Sequence, residues 1–168
     1  MQNARLRDDP ALLDARGLRI ALVQARFNID ITDGLARFCV EQLRELGAEP
    51  AALLTVPGAL EVPQALELLA RAGGVDALVA LGCVIRGETY HFELVCDTSA
   101  AGIQQVALRH GIPVANGVIT VENEAQARAR LDKGAECARV AVEMARLARG
   151  LGAGQDAAGA RQPGEQNR

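Results

Sequence analysis

Four short segments hold most of the side chains of this sequence that could do chemistry: Arg26-Phe27-Asn28, Pro57-Gly58-Ala59-Leu60-Glu61, Arg86-Gly87-Glu88-Thr89-Tyr90-His91 and Thr120-Val121-Glu122-Asn123. The chain has three Phe, one Tyr and no Trp, so an aromatic ring among polar residues stands out. Phe27 fits two readings: its ring can stack on a flat heterocycle, or it can fold back onto the core. Glu61 is the lone carboxylate of the apolar stretch PGALEVP. It can accept hydrogen bonds from ligand N–H or hydroxyl groups, or it can complement the dipole of a following helix. His91 is one of two histidines; an imidazole can take up and release protons near neutral pH, although a surface histidine is the plainer reading. Gly87 permits close backbone approach. Thr89 can cap a helix whose first N–H groups would either seat a phosphate or simply be capped. Further along, Arg130 could fork onto a phosphate and Lys133 could bond a carbonyl oxygen, the alternative for both being solvated surface charge. His110, next to Gly111, reads as a residue placed favourably on a helix dipole.

These residues need elements to position them. Apolar runs suited to buried strands occur at Leu18 to Ala25, Ala51 to Val56, Ala77 to Ile85 and Pro113 to Ile119, and segments of helical period separate them. Leu35, Phe38, Cys39, Leu43 and Leu46 form the first helical stripe, closed by Gly47. Val62, Ala65, Leu66 and Leu69 form the second, closed by Gly73 and Gly74. Phe92, Val95, Ile103 and Val106 form the third, closed by Gly111 before Pro113. Two more helices follow, from Asn123 to about Leu131 and from about Gly134 to Arg149. Alternating strand and helix predicts a flavodoxin-like three-layer α/β/α sandwich with a four-stranded parallel sheet and right-handed crossovers. Such sheets bind ligands beyond the carboxyl ends of their strands, which is where the four chemical segments fall.

The bulk properties narrow the field. A chain of 168 residues with 49% hydrophobic content fits one core of ordinary size. Residues 18–149 form the expected domain, preceded by a polar extension over residues 1–17. From Gly150 the composition turns to Gly, Ala, Gln and charge, so residues 150–168 read as a disordered tail. A net charge of −3 offers no broad positive field for nucleic acid or an anionic membrane. No run of eighteen apolar residues and no signal-peptide core occurs, so the expected location is the cytoplasm. The four cysteines are far apart and form no C-x-x-C pair, which points to reduced core thiols and to no metal site. The common nucleotide-loop, hydrolase-elbow and zinc-helix motifs are missing.

Taken together, RFN after the first strand, PGALEVP after the second, GCVIRGETYHFE after the third, GV-T-EN-QA after the fourth and DKGAE before the last helix resemble the lumazine synthase family over Arg19 to Ala148. The resemblance implies condensation of 5-amino-6-(D-ribitylamino)uracil with 3,4-dihydroxy-2-butanone 4-phosphate, without metal or organic cofactor. It also implies pentamers, some closed into icosahedral shells, with active sites between adjacent subunits. Phe27 would stack on the pyrimidine, with Ala59, Leu60, Glu61, Cys83, Val84 and Ile85 lining the pocket for ring and ribityl chain. Glu88 and Thr89 would hold the phosphate, and His91 would transfer protons. A neighbouring subunit would supply Asn116 beside the pyrimidine, Arg130 on the phosphate and Lys133 near a ring oxygen. Many members carry an aromatic at the position of Asn116, so stacking here would be one-sided, at a cost of about 1 kcal/mol. The junction RARLDKGAE is also short for the family, which loosens the placement of Lys133. Implied partners are the two small molecules, further copies of the chain and riboflavin synthase, with no nucleic acid and no membrane.

Two other functions fit the residues less well. A flavin- or lumazine-binding assembly protein that does not turn over substrate has no need to keep Glu61, His91 and Arg130 together. A flavodoxin-type electron carrier would share only the fold.

Overall fold

The computed structural model describes residues 12–159. The parts of the terminal expectations that fall on residues 1–11 and 160–168 lie outside the described residues. Four strands, β1 (Ile20–Ala25), β2 (Ala52–Val56), β3 (Ala77–Ile85) and β4 (Val114–Val121), alternate with helices α1 (Ile29–Glu45), α2 (Val62–Ala72) and α3 (His91–His110). Two further helices, α4 (Glu124–Arg128) and α5 (Lys133–Gly159), close the chain. All strand pairs are parallel, in the order β2-β1-β3-β4, with Ala21 opposite Ala52, Ile20 opposite Ala77 and Leu78 opposite Val114.

Side chains alternate across a strand, so each central strand feeds two cores. Ile20 and Leu22 of β1, with Val79 and Leu81 of β3, pack beneath Ile31, Leu35, Cys39 and Leu43 of α1 and Ala138, Ala141 and Val142 of α5. On the other face Ala21, Val23 and Ala80 pack beneath Val62 and Leu66 of α2 and Ile103 and Val106 of α3. This is the expected flavodoxin-like sandwich. Truncating a fully buried side chain such as Leu35 or Leu66 to Ala would cost about 2–5 kcal/mol. The α1–α5 contact is close because Gly134 has no side chain: a Cβ there would lie 2.0 Å from the Leu35 carbonyl oxygen.

Two local expectations change. The run Ala51 to Val56 reads as a fully buried strand, yet Leu53 and Leu54 are each 41% exposed, because β2 lies at the sheet edge and helices cover it incompletely. The composition places the end of the last helix at Arg149, but α5 continues to Gly159. Extending an existing helix requires no nucleation, and alanine favours it. The polar segment before β1 is tied to its own chain from Leu13, which is buried. Ala15 is fully buried, its N–H donates to the Leu46 carbonyl, and the Arg146 guanidinium donates to the Asp14 and Arg16 carbonyls. Among the described residues no helix is long and apolar enough to cross a membrane.

Candidate active site

The strand order reverses direction at β1, whose neighbours are β2 on one side and β3 on the other. Chain connections leave β1 and β3 toward opposite faces there, opening a crevice beyond their carboxyl ends. Phe27 stands at its mouth. Its backbone is held from below: the Arg26 N–H donates to the Val56 carbonyl at 2.8 Å and the Phe27 N–H to the Pro57 carbonyl at 3.1 Å. Asn28 has φ 55°, a left-handed conformation that Asn tolerates better than most residues. Its Nδ2 donates to the Cys83 carbonyl at 3.0 Å, joining the end of β1 to the end of β3. The Phe27 ring is 72% exposed, so of its two readings the fold selects the presented ring over the core ring.

Gly58 lets the second segment close on the first. A Cβ there would sit 3.1 Å from Glu61 Oε2 and 3.4 Å from the Phe27 ring. Glu61 precedes α2 and makes no capping bond with its side chain. Its carboxylate has no hydrogen-bond partner among the described residues, which leaves it available to a ligand.

The third segment is anchored by Arg86. Its N–H donates to the Val121 carbonyl, and its guanidinium pairs with Glu93 and, at 2.8 Å, with Glu122, 4.1 Å from the Phe92 ring centroid. The Arg86 hydrogen bond holds the Glu93 carboxyl below the usual carboxylate range. This clamp fixes the start of α3 and hence His91. Thr89 is a weaker cap than its sequence position suggests: Tyr90 occupies the cap position, and the Thr89 hydroxyl accepts from the His91 N–H at 3.4 Å. The loop Gly87 to Tyr90 is exposed and leads into the start of α3, where the first N–H groups of a helix favour an anion.

Phe27, Ala59, Leu60, Glu61, Cys83, Val84, Ile85 and His91 line one cavity of about 330 Å³, together with Asn28, Gly58 and Val95. Glu88 and Thr89 lie on the adjoining loop rather than in its wall. Burial pushes the Cys83 thiol up to about 11, so it stays protonated and offers a small apolar surface instead of a nucleophile.

Asn116, Arg130 and Lys133 are elsewhere. They line a second cavity of about 400 Å³ between the outer edge of β4 and the α4–α5 junction. There Arg130 Nη1 donates to the Gln126 carbonyl at 2.8 Å, and Lys133 pairs with Glu136, whose hydrogen bond raises the lysine above its usual range. Asn123 caps α4 by accepting from the Gln126 N–H at 3.0 Å. His110 belongs to neither cavity; its Nε2 lies 2.9 Å from Glu67 Oε2 and links α3 to α2.

Residue reasoning gave Asn28, Gly58, Arg86 and Val95 no role in the site. The turn between the first strand and first helix contained a signal for Asn28, since a short polar residue there suits positive φ.

The family model for 6,7-dimethyl-8-ribityllumazine synthase matches residues 17–149. A protein of that name from Paraburkholderia phymatum is 59% identical over 139 residues, covering 81% of each chain. One from Leptothrix cholodnii is 57% identical over 150 residues, covering 88% of this chain and 97% of the relative. One from Ralstonia pickettii is 54% identical over 150 residues, covering 88% and 90%. The match spans the sheet, both cavities and the segments that carry Phe27, Glu61, His91 and Arg130, and on that basis the chain belongs to the 6,7-dimethyl-8-ribityllumazine synthase family.

Proposed function

We infer that this protein is a transferase that condenses 5-amino-6-(D-ribitylamino)uracil with 3,4-dihydroxy-2-butanone 4-phosphate to give 6,7-dimethyl-8-ribityllumazine, releasing phosphate and water. The observation that carries the reading is the convergence of Phe27, Glu61 and His91, from three separate segments, on one cavity at the reversal of strand order. The exposed Phe27 ring suits a flat pyrimidine, and the free Glu61 carboxylate suits the hydroxyl groups of the ribityl chain. The phosphate sits on the Glu88–Thr89 loop at the start of α3, with Arg130 as its counter-charge.

The ring amine attacks the ketone and loses one water to form an imine, phosphate is eliminated, and the second ring closes with loss of a second water. Amine and ketone are already reactive, so holding them in contact supplies most of the acceleration; effective molarities of about 10⁵ M or more are attainable in favourable cases. His91 carries protons, worth about 10²- to 10⁴-fold.

Within one chain the Arg130 cavity is separate from the His91 cavity. A complete site therefore joins the His91 cavity of one copy to the β4 edge of the next, in a homopentamer or a shell built from pentamers. We place the protein in the cytoplasm, with riboflavin synthase as the partner that consumes the product. A steady-state assay with both substrates, run beside light scattering, tests the reading. Lumazine formation by an assembly of five or more chains is expected; an active monomer, or assemblies that form no lumazine, would overturn it.

A further inference from the structure

We propose that Gln24, buried beneath the first turns of α1, is a positioning residue for the reaction: its side-chain amide sets the turn between β1 and α1 so that the Phe27 ring stands where the pyrimidine stacks. The inference rests on the reaction and the stacking role of Phe27 proposed above.

Alternation along β1 puts Gln24 on the same face as Ile20 and Leu22, which belong to the apolar core under α1 and α5. An aliphatic side chain would bury there as readily, yet the position holds an amide that is 2% exposed. A buried amide costs free energy unless it is hydrogen-bonded, and this one is bonded to α1. Its Nε2 donates to Asp33 Oδ1 at 2.6 Å and to the Thr32 hydroxyl at 3.3 Å, and that hydroxyl donates in turn to the Ile29 carbonyl at 3.4 Å. The Asp33 bond is the stronger, being short and charge-assisted. A carboxylate can only accept, so the NH₂ end of the amide faces α1. The mount is firm, since β1 is paired at Gln24 with Thr55 on one side and Leu81 on the other.

Between the two ends of this link the chain passes through Arg26, Phe27 and Asn28. The Asn28 side chain makes no capping bond to α1, being used on the Cys83 carbonyl, and the Phe27 ring is too exposed for packing to hold it. The direction in which the chain leaves the sheet and enters α1 is therefore set from below, by the bonds from Gln24 to Thr32 and Asp33. Gln24 is not part of the wall of the cavity that joins Phe27, Glu61 and His91, so it acts through the turn rather than on a substrate. His91 is carried by α3, which Arg86 anchors independently. Displacing the β1–α1 turn thus weakens stacking and leaves proton transfer in place.

The test is a pair of substitutions and a swap. Gln24→Leu keeps the burial and has no donor. Gln24→Glu sets a second carboxylate against Asp33, and adding Asp33→Asn restores the bond with its direction reversed, the asparagine NH₂ donating to the new carboxylate. In the assembled protein, Gln24→Leu and Gln24→Glu should each raise KM for the ribitylaminouracil about fivefold, the usual worth of one aromatic contact. Both should leave kcat and KM for the butanone phosphate within about twofold. The double variant should return KM for the uracil to within about twofold of wild type. A Leu variant with wild-type KM for the uracil, an equal rise in both KM values, or a double variant no better than Gln24→Glu would overturn the proposal. Calorimetric titration with the ribitylaminouracil alone keeps the two readings distinct. Binding that weakens in Gln24→Glu and returns in the double variant, in a wild type that forms no lumazine, would support the role of Gln24 and sink the reaction; no binding to the wild type would overturn both.

Discussion

The cavity beyond β1 and β3 and the cavity on the edge of β4 are built in different ways. The first has walls from four segments, pinned to one another by the Phe27–Pro57 and Asn28–Cys83 hydrogen bonds, with Arg86 steadying the helix that carries His91. The second is one strand edge and one helix junction, and its cations are bonded within their own wall to Glu136 and the Gln126 carbonyl. A reversal of strand order makes a crevice out of a single chain, whereas a sheet edge offers a surface that another body must complete. The first region should therefore govern chemistry and pyrimidine stacking, and the second should govern recognition of whatever is brought against it.

The sharpest contrast comes from removing one principal side chain from each. His91→Ala should lower kcat about 10²-fold, because proximity and the reactivity of amine and ketone survive the loss of one proton carrier. Binding of an inert lumazine analogue, measured by calorimetry, should be unchanged. A wild-type rate in an assembled variant would remove His91 from the chemistry. Arg130→Ala should act on binding instead, raising KM for the butanone phosphate about tenfold or more while KM for the uracil stays within about twofold. Equal shifts in steady-state kinetics would contradict its assignment to the phosphate.

The smallest effect is expected far from both cavities. The Glu67 carboxyl is held below the usual carboxylate range by the His110 hydrogen bond first and by Arg109 after it. A depressed folded-state pKa contributes stability that is fully present above the unfolded value near 4.5 and lost as pH falls through the folded value. Glu67→Gln should lower the melting temperature by about 1 °C at pH 7, a difference that vanishes in acid, with kcat and both KM values unchanged. A change in activity would mean that the α2–α3 contact reaches the site.

The sequence showed the elements because their signals are local. Gly47 and Gly111 were legible as helix ends and have φ of 97° and 61°. The exposure of β2 was not legible, since Leu53 and Leu54 look the same at an edge as in the middle of a sheet; only the order of strands distinguishes the two. The overrun of α5 was missed because Gly and Gln next to alanine give no stop signal strong enough to end an established helix. At the site, Phe27, Glu61 and His91 could be picked by residue type, but each retained a bland reading until the topology brought them to one cavity. The positive φ of Asn28 suits a short polar residue in a turn, but its role depends on a carbonyl 55 residues away, and that is not written in the neighbouring residues. The placement of Asn116 and Arg130 opposite a different chain came from resemblance rather than from any pattern in the residues.

The central claim is that one active site takes His91 from one copy and Arg130 from the next. Co-refolding equal amounts of His91→Ala and Arg130→Ala chains into mixed assemblies tests it most directly, since a junction with an intact His91 on one side and an intact Arg130 on the other arises in about a quarter of random pairings. The mixture should recover about a quarter of wild-type activity at low butanone phosphate, far above either variant alone. Activity no greater than the mean of the two variants, in assemblies shown by mass to contain both chains, would place the two residues in one chain's site and contradict it.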